Sequence, residues 1–358
     1  MDTIRVAILG TSFGRAVHAP GFQRHPDFEL VAIAGSDVER TRRAAAELGI
    51  VAHTDWRRML DEVKPELVSI ATPVHLHHPM TLAALDRGCH VLCEKPTALS
   101  RWQAAEMRDR AAAAGRVAGI NHEFRFFPAR ACAVAMVRRG EIGTPRRGEI
   151  LGRSPIWARP ESRGMTWLSD RARGGGILGA LGSHHTDCLR QFFGEAVRAL
   201  ASLRIDQPRR GVGAAAGIAT ADDACTVHYE FAGGATGLVD LYACAPYRWE
   251  RFEIHGSEAT LRWDETGYRL WRIVPGREAE EVAIPEAYAL PRRDGDHPLL
   301  APFEALIQRL GRALRGGPLL APDFDDAVAV QSALDAARAS SESGTVMRVE
   351  VPAPAPSG

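Results

Sequence analysis

The sequence contains no apolar run of about 18 residues, the length a helix needs to cross a bilayer, so no transmembrane helix is expected. It also lacks an excess of either charge, since 44 basic side chains match 44 acidic ones. Nucleic acids and anionic membranes both bind by exchanging counterions for a basic surface, so neither is an expected partner. None of the six cysteines forms a C-x-x-C pair. Cys89 and Cys93 stand in or beside an apolar run, which suits buried thiols of a reducing compartment better than a disulfide or zinc frame. The first residues lead at once into a strand-like run and leave no room for a signal peptide, so the expected location is the cytoplasm. What is present is globular: 46% hydrophobic and 25% charged residues in a chain of 358, long enough for two cores.

The first 120 or so residues repeat one rhythm of short apolar run, turn and helical pattern. Ile4–Leu9, Glu29–Ala34, Leu67–Ala71, His90–Cys93 and Val117–Ile120 read as five strands, continuous enough in hydrophobicity to be covered on both faces. Between them, Asp37 can cap a helix over 38–48 that Gly49 ends, Pro79 opens a stretch to Arg87, and Ser100-x-x-Gln103 has the form of a capping box. Alternating strands and helices with short links imply right-handed crossovers and a doubly wound parallel sheet. Beyond residue 124 strands follow one another without helices between them, among them 148–151, 224–231, 236–241, 250–255 and 259–263, with a hairpin turn at 232–235. Helical patterns return at 302–314 and 323–339. The expected fold is therefore an α/β Rossmann domain over 1–124, an α+β domain with a large, mostly antiparallel sheet over 125–350, and a flexible tail over 351–358.

Gly10-Thr11-Ser12-Phe13-Gly14-Arg15 stands where the first strand meets the first helix, the place at which a dinucleotide's pyrophosphate needs a tight turn and free backbone N–H groups. Only Gly10 is in register with G-x-G-x-x-G. Ser12 takes the second place, Arg15 the third, and Gly14 comes one position early. The second strand ends in Ala34-Gly35-Ser36-Asp37 followed by Arg40. Asp37 reads as a helix cap; Ser36 and Arg40 could instead receive a 2′-phosphate, so NADP is preferred over NAD.

Three further motifs carry a resemblance: Ala71-Thr72-Pro73, Glu94-Lys95-Pro96, and Gly174-Gly175-Gly176 followed by Gly182-Ser183-His184-His185-Thr186-Asp187. With the N-terminal turn and Asn121 they make the chain resemble the Gfo/Idh/MocA family of sugar and inositol dehydrogenases. The resemblance implies an NAD(P)-dependent oxidoreductase for a small polyhydroxylated substrate, with Lys95 and His184 catalytic, assembled as dimers or tetramers through its C-terminal sheets. It also implies dinucleotide contacts from Thr72, Pro73, His75, Glu94, Lys95 and Asn121. A lysine at the carboxyl end of a parallel strand lies over the cofactor crevice. The family's aspartate four residues before the histidine is here Ala180, which can neither orient nor charge His184.

That departure leaves two alternatives open: an enzyme without net redox change, working through transient oxidation by tightly bound NAD, and an impaired member acting as a binding protein. Candidate substrate contacts are Lys95, His122, Arg125, Trp157, Trp167, His184 and His185. For the two tryptophans loop packing serves equally well, and for His122 and Arg125 so does hydrogen bonding between domains. Asp187 could bond to His184 or be structural. No metal is expected, because the spacing of His75, His77 and His78 fits no zinc pattern.

Overall fold

The computed structural model describes residues 3–291, 293–318 and 320–355. The polypeptide divides into two compact units, one made of Met1–Glu123, Leu290–Val328 and Pro352–Gly358, the other of Phe124–Ala289 and Ala329–Val351.

In the first unit β1 (Ile4–Leu9) turns into a π-helical turn, Gly14–His18, that runs on as α1 (Ala19–Arg24). Then come β2 (Phe28–Ala34), α2 (Val38–Leu48), β3 (Val51–His53), α3 (Trp56–Val63), β4 (Leu67–Ile70), α4 (His77–Asp86), β5 (His90–Cys93), α5 (Arg101–Ala113) and β6 (Ala118–Ile120). The strands pair in parallel in the order β3-β2-β1-β4-β5-β6. Their continuous hydrophobicity follows from burial on both faces: Val6, Ala7, Ile8 and Leu9 are wholly inaccessible, as are Leu67, Val68 and Ile70. The order reverses between β1 and β4, and a ligand binds outside the carboxyl ends of strands at such a switch point.

Five strands were expected and the sheet has six. The extra one, β3, is a three-residue edge strand with Val51 exposed, too short to leave an apolar run. The helix caps follow their local chemistry. Asp37 accepts the Arg40 N–H at 2.8 Å, and Gly49 ends α2 at φ 68°. Ser100 accepts the Gln103 N–H at 3.3 Å, while Gln103 accepts from Leu99 at 3.1 Å rather than from Ser100 itself.

The second unit is led by α6 (Pro128–Arg138), β7 (Pro145–Arg153), a π-helical turn at Leu178–Gly182, α7 (Ser183–Phe193) and β8 (Ala196–Arg204). A two-stranded ribbon of β9 (Arg209–Arg210) and β10 (Gly217–Ile218) follows. After it come β11 (Ala224–Phe231), β12 (Thr236–Tyr242), β13 (Trp249–Gly256), β14 (Thr260–Trp263), β15 (Leu270–Ile273) and β16 (Glu280–Val282). With β17 (Met347–Arg348) they form a nine-stranded sheet in the order β16-β15-β14-β13-β7-β12-β11-β8-β17. All its pairs are antiparallel except β7 with β12. Burial alternates along β12, as in a sheet whose two faces differ in cover.

The chain then returns. Helix α8 (Leu300–Leu314) belongs to the first unit, although the sequence placed 125–350 in one domain. The reason is packing on α1. The wholly buried ring of Phe303 fills the space left by Gly21, where a Cβ would come within 2.6 Å of it. Truncating such a ring costs about 3–5 kcal/mol. Ile120 N–H also bonds to the Pro322 carbonyl at 3.3 Å, just before α9 (Phe324–Ser343). Part of the expected tail is held: the Arg108 guanidinium donates to the carbonyls of Pro352 and Ala353 at 3.0 and 2.8 Å. Residues 356–358 of that tail lie outside the described residues.

Candidate functional site

At the carboxyl end of β1, Gly10 has φ 117°, and a Cβ there would lie 2.2 Å from the Ala71 carbonyl oxygen. Only glycine lets the turn press against the end of β4. Gly14 does the close packing expected of the third position in the fingerprint, since its Cβ would meet the Ile8 side chain at 2.7 Å. The one-residue offset in the sequence coincides with the π-helical turn that starts at Gly14. Arg15 is thereby left on the surface, ion-paired to Glu47 at 2.9 Å. The helix start at Phe13 has no side-chain cap, and an uncapped helix start is a place for an anion. Beside it Thr11, Ser12, Arg15, Arg40, Arg43 and Glu47 line a cavity of about 380 Å³. Ser36 is exposed near the end of β2, while the Asp37 carboxylate is engaged in capping α2. This cradle of glycines, small hydroxyl residues and arginines fits a dinucleotide's phosphates.

Between the ends of β4 and β5 lies a buried histidine from the His75, His77 and His78 loop. His77 Nε2 lies 2.8 Å from the Thr72 carbonyl and Nδ1 3.0 Å from that of Pro96, so the ring sits between both loops and its single N–H, in the neutral form, donates to one of them. Its burial pushes the imidazole below its ordinary range, against the pull of those carbonyls. His78, by contrast, meets Glu106 at 2.8 Å, and His75 sits half-buried in the turn Val74–Leu76. Pro73, half-buried, precedes that turn.

Lys95 is half-buried and follows the buried Glu94. Glu94 accepts hydrogen bonds from the Asn121 amide and from His18, whose Nε2 is 2.9 Å away. His122 and Glu123 continue buried from Asn121. His18 went unrecognised in the sequence, although a polar residue in line with Gly14, Gly21 and Phe22, three and four positions away on the buried helix face, was its signal. Another signal is compositional. Of the 44 basic residues only two are lysines, Lys64 and Lys95.

In the second unit the glycine triplet allows two close approaches. A Cβ on Gly175 would lie 2.5 Å from the Leu168 carbonyl oxygen, and one on Gly176, at φ 109°, 2.1 Å from Asp222. The π-helical turn after it carries Ala180 and leads to His184, which is buried with its ring stacked on Phe124. His185 is buried too, with its ring 5.6 Å from that of Phe252 on β13. The inaccessible carboxylate of Asp187 receives Arg125 Nε at 2.9 Å and Arg130 at 3.0 Å.

Arg125, a candidate substrate contact for which structural hydrogen bonding was the alternative, has its guanidinium on Asp187. Trp157, for which loop packing was the alternative, is 2% exposed in the core, with the Arg210 guanidinium 4.8 Å over its ring. Trp167 remains half-buried at the start of the short turn Trp167–Ser169. The one group of three potential metal ligands among the described residues is Glu149, Glu253 and His255 on β7 and β13. Its two carboxylates are already matched by Arg147 and Arg251, at 2.7 and 2.6 Å.

Residues 4–122 match the model of an oxidoreductase family with an NAD-binding Rossmann fold, and residues 132–262 match the GFO/IDH/MocA C-terminal domain. The levoglucosan dehydrogenase of Pseudarthrobacter phenanthrenivorans is 30% identical over 289 residues, covering 73% of each chain. The chain belongs to the Gfo/Idh/MocA family. Among solved structures, an oxidoreductase domain protein from Kribbella flavida superposes with a TM-score of 0.89 at 28% identity, over 98% of this chain and 100% of that one. A levoglucosan dehydrogenase in complex with NADH and levoglucosan gives 0.87 at 25% identity, over 97% and 100%. As a member of the Gfo/Idh/MocA family, this chain is an NAD(P)-dependent oxidoreductase acting on CH–OH groups.

Proposed function

We propose that the enzyme oxidises a secondary alcohol of a sugar- or cyclitol-like substrate, or reduces the corresponding ketone, with Lys95 as the group that exchanges the hydroxyl proton. The observation that carries this reading is the identity of residue 95 in a chain that is almost free of lysine. Arginine serves nearly every surface cation here, but a guanidinium stays protonated and cannot take up a proton, whereas an amine can. The dinucleotide, when bound, supplies the hydride acceptor or donor at C4 of its nicotinamide. In the oxidation the carbinol O–H proton passes to the Lys95 amine as the C–H bond breaks, and in the reduction the Lys95 ammonium returns it. His184 is the partner acid/base, its ring plane set by Phe124.

Several finer assignments follow. Ser36, Arg40 and the neighbouring Arg43 favour NADP over NAD, because the end of β2 offers cations where a ribose-binding carboxylate would stand. The relatives named for levoglucosan, D-apiose and inositol support the polyhydroxylated substrate class. The apolar Leu200 and Trp249 exposed on the second sheet suit assembly into a homodimer or homotetramer. Six free cysteines suit a reducing cytoplasm. Ala180 favours one alternative, a reaction without net redox change, in which nicotinamide absorbance would stay constant during turnover.

The deciding experiment is Lys95→Met. Turnover of a polyol panel should fall by at least about 10²-fold, the contribution of a positioned acid/base, while dinucleotide binding stays within about twofold. Normal turnover in that variant would refute the mechanism.

A further inference from the structure

Ser69, His18 and Glu94 form a line of hydrogen bonds from the interior of β4 to the residue before Lys95. His18 Nδ1 lies 2.7 Å from Ser69 Oγ, and His18 Nε2 lies 2.9 Å from Glu94 Oε1. All three side chains are buried. The imidazole is fixed by a stack on Phe303, centroids 4.4 Å apart, and by the edge of Phe13 at 5.5 Å. An ionised carboxylate only accepts, so Nε2 carries the hydrogen toward Glu94, and in the neutral ring Nδ1 accepts from the Ser69 hydroxyl. The surroundings thus select one tautomer.

Every element around Glu94 contributes to its state. His18 comes from the turn after β1, Ser69 from β4, the Asn121 amide from the segment after β6, and Lys95 and Cys93 flank it in sequence. The charge of Glu94 is also felt at His77, at the start of α4. Burial by itself opposes ionisation of Glu94. The hydrogen bond from His18, the Lys95 charge and the Asn121 donor outweigh it and hold the carboxyl below its usual range.

We propose that His18 is a positioning residue, which keeps Glu94 as an anion beside Lys95 and so sets the pH at which the Lys95 amine can accept a proton. The proposal rests on Lys95 being the acid/base described under Proposed function. Without its donor, buried Glu94 reverts toward the neutral acid. The Lys95 ammonium then loses its neighbouring anion, and the free amine forms at lower pH.

The test compares wild type with Glu94→Gln, His18→Phe and His18→Gln. The acid limb of the kcat–pH profile for alcohol oxidation should move down by about one pH unit in Glu94→Gln and in His18→Phe. His18→Gln keeps an N–H donor and should restore most of the shift. The double variant His18→Phe/Glu94→Gln should shift no further than Glu94→Gln alone. Ser69→Ala, which removes only the far end of the line, should move the limb in the same direction and stands in if His18→Phe does not fold.

A second readout needs no turnover. With only two lysines in the chain, the pH dependence of Lys95 labelling by trinitrobenzenesulfonate can be followed by peptide mass spectrometry, Lys64 serving as the internal control. Its midpoint should move with the kinetic limb. If Lys95→Met is inactive yet the labelling midpoint is the same in Glu94→Gln, His18→Phe and wild type, the coupling is overturned while the catalytic lysine stands. If Lys95→Met retains turnover, the catalytic reading falls, and the labelling midpoint still decides whether His18 acts on Lys95 through Glu94.

Discussion

Phe124 lies flat against the imidazole of His184, ring centroids 3.8 Å apart and planes 4° from parallel. Ala180, one turn before it, offers no carboxylate, and the stack on Phe124 holds the plane of that ring. Phe124→Leu should lower kcat about threefold to tenfold, matching the roughly 0.5–1.5 kcal/mol such a stack contributes. Dinucleotide affinity, measured by fluorescence titration, should not change. An unaltered kcat would mean that the ring is oriented by something else.

Asp187 is the fixed point of α7. Its carboxylate receives Arg125 and Arg130 with no exposure to solvent. Asp187→Asn takes the anion from Arg125 and Arg130 and from the more distant Arg190, and removing one partner of a buried pair costs about 3–5 kcal/mol. Urea denaturation should show a loss of that size. A loss below about 1 kcal/mol would place the network in the class of surface pairs.

Cofactor choice is expected to reside in Arg40 and Arg43. Replacing both with alanine should raise KM for NADP about tenfold or more, since each charge-assisted hydrogen bond contributes about 1.5–3 kcal/mol. KM for NAD should stay within about twofold. Equal losses for both dinucleotides would assign the arginines to the shared diphosphate instead.

Acid stability should depend on Asp223. Burial opposes its ionisation, but Arg210 at 2.8 Å and the N–H groups of Asp206 and Gln207 at 2.7 and 2.9 Å hold its carboxyl below the usual range. A depressed folded value means that the stabilisation is complete above the unfolded value of about 3.9 and is lost as pH falls through the folded one. Asp222, raised by burial, works in the opposite sense and regains stability on acidification. In denaturant melts between pH 7 and 3, Asp223→Asn should be less stable by about 3 kcal/mol at pH 7, and the gap should begin to narrow as pH falls below about 4. A constant gap would show that Asp223 is not the titrating group.

The first sheet was legible in the sequence because its strands, buried on both faces, are written as continuous apolar runs. β3 was not, because an edge strand of three residues leaves no such run. The catalytic candidates stood out through local motifs, Glu94-Lys95-Pro96 and Gly182-Ser183-His184. Their supports did not, because the supports are distant in sequence: His18 reaches Glu94 across 76 positions and Arg125 reaches Asp187 across 62. A contact of that kind has no periodicity to betray it. For Trp157 the sequence left sugar contact and loop packing open, and nothing local reveals that Arg210 covers its face. The scarcity of lysine was open to view, but it becomes informative only once one of the two occupies the end of β5.

Phe303 and the Arg108 clamp also govern how this protein must be made. The nucleotide-binding half recruits a helix encoded after position 300 and two carbonyls encoded after position 351. A growing chain released from the ribosome only as far as residue 123 would leave Phe22 and the imidazole of His18 uncovered. This half therefore finishes folding after most of the other half has been synthesised, and a recombinant fragment cut at the apparent boundary should aggregate.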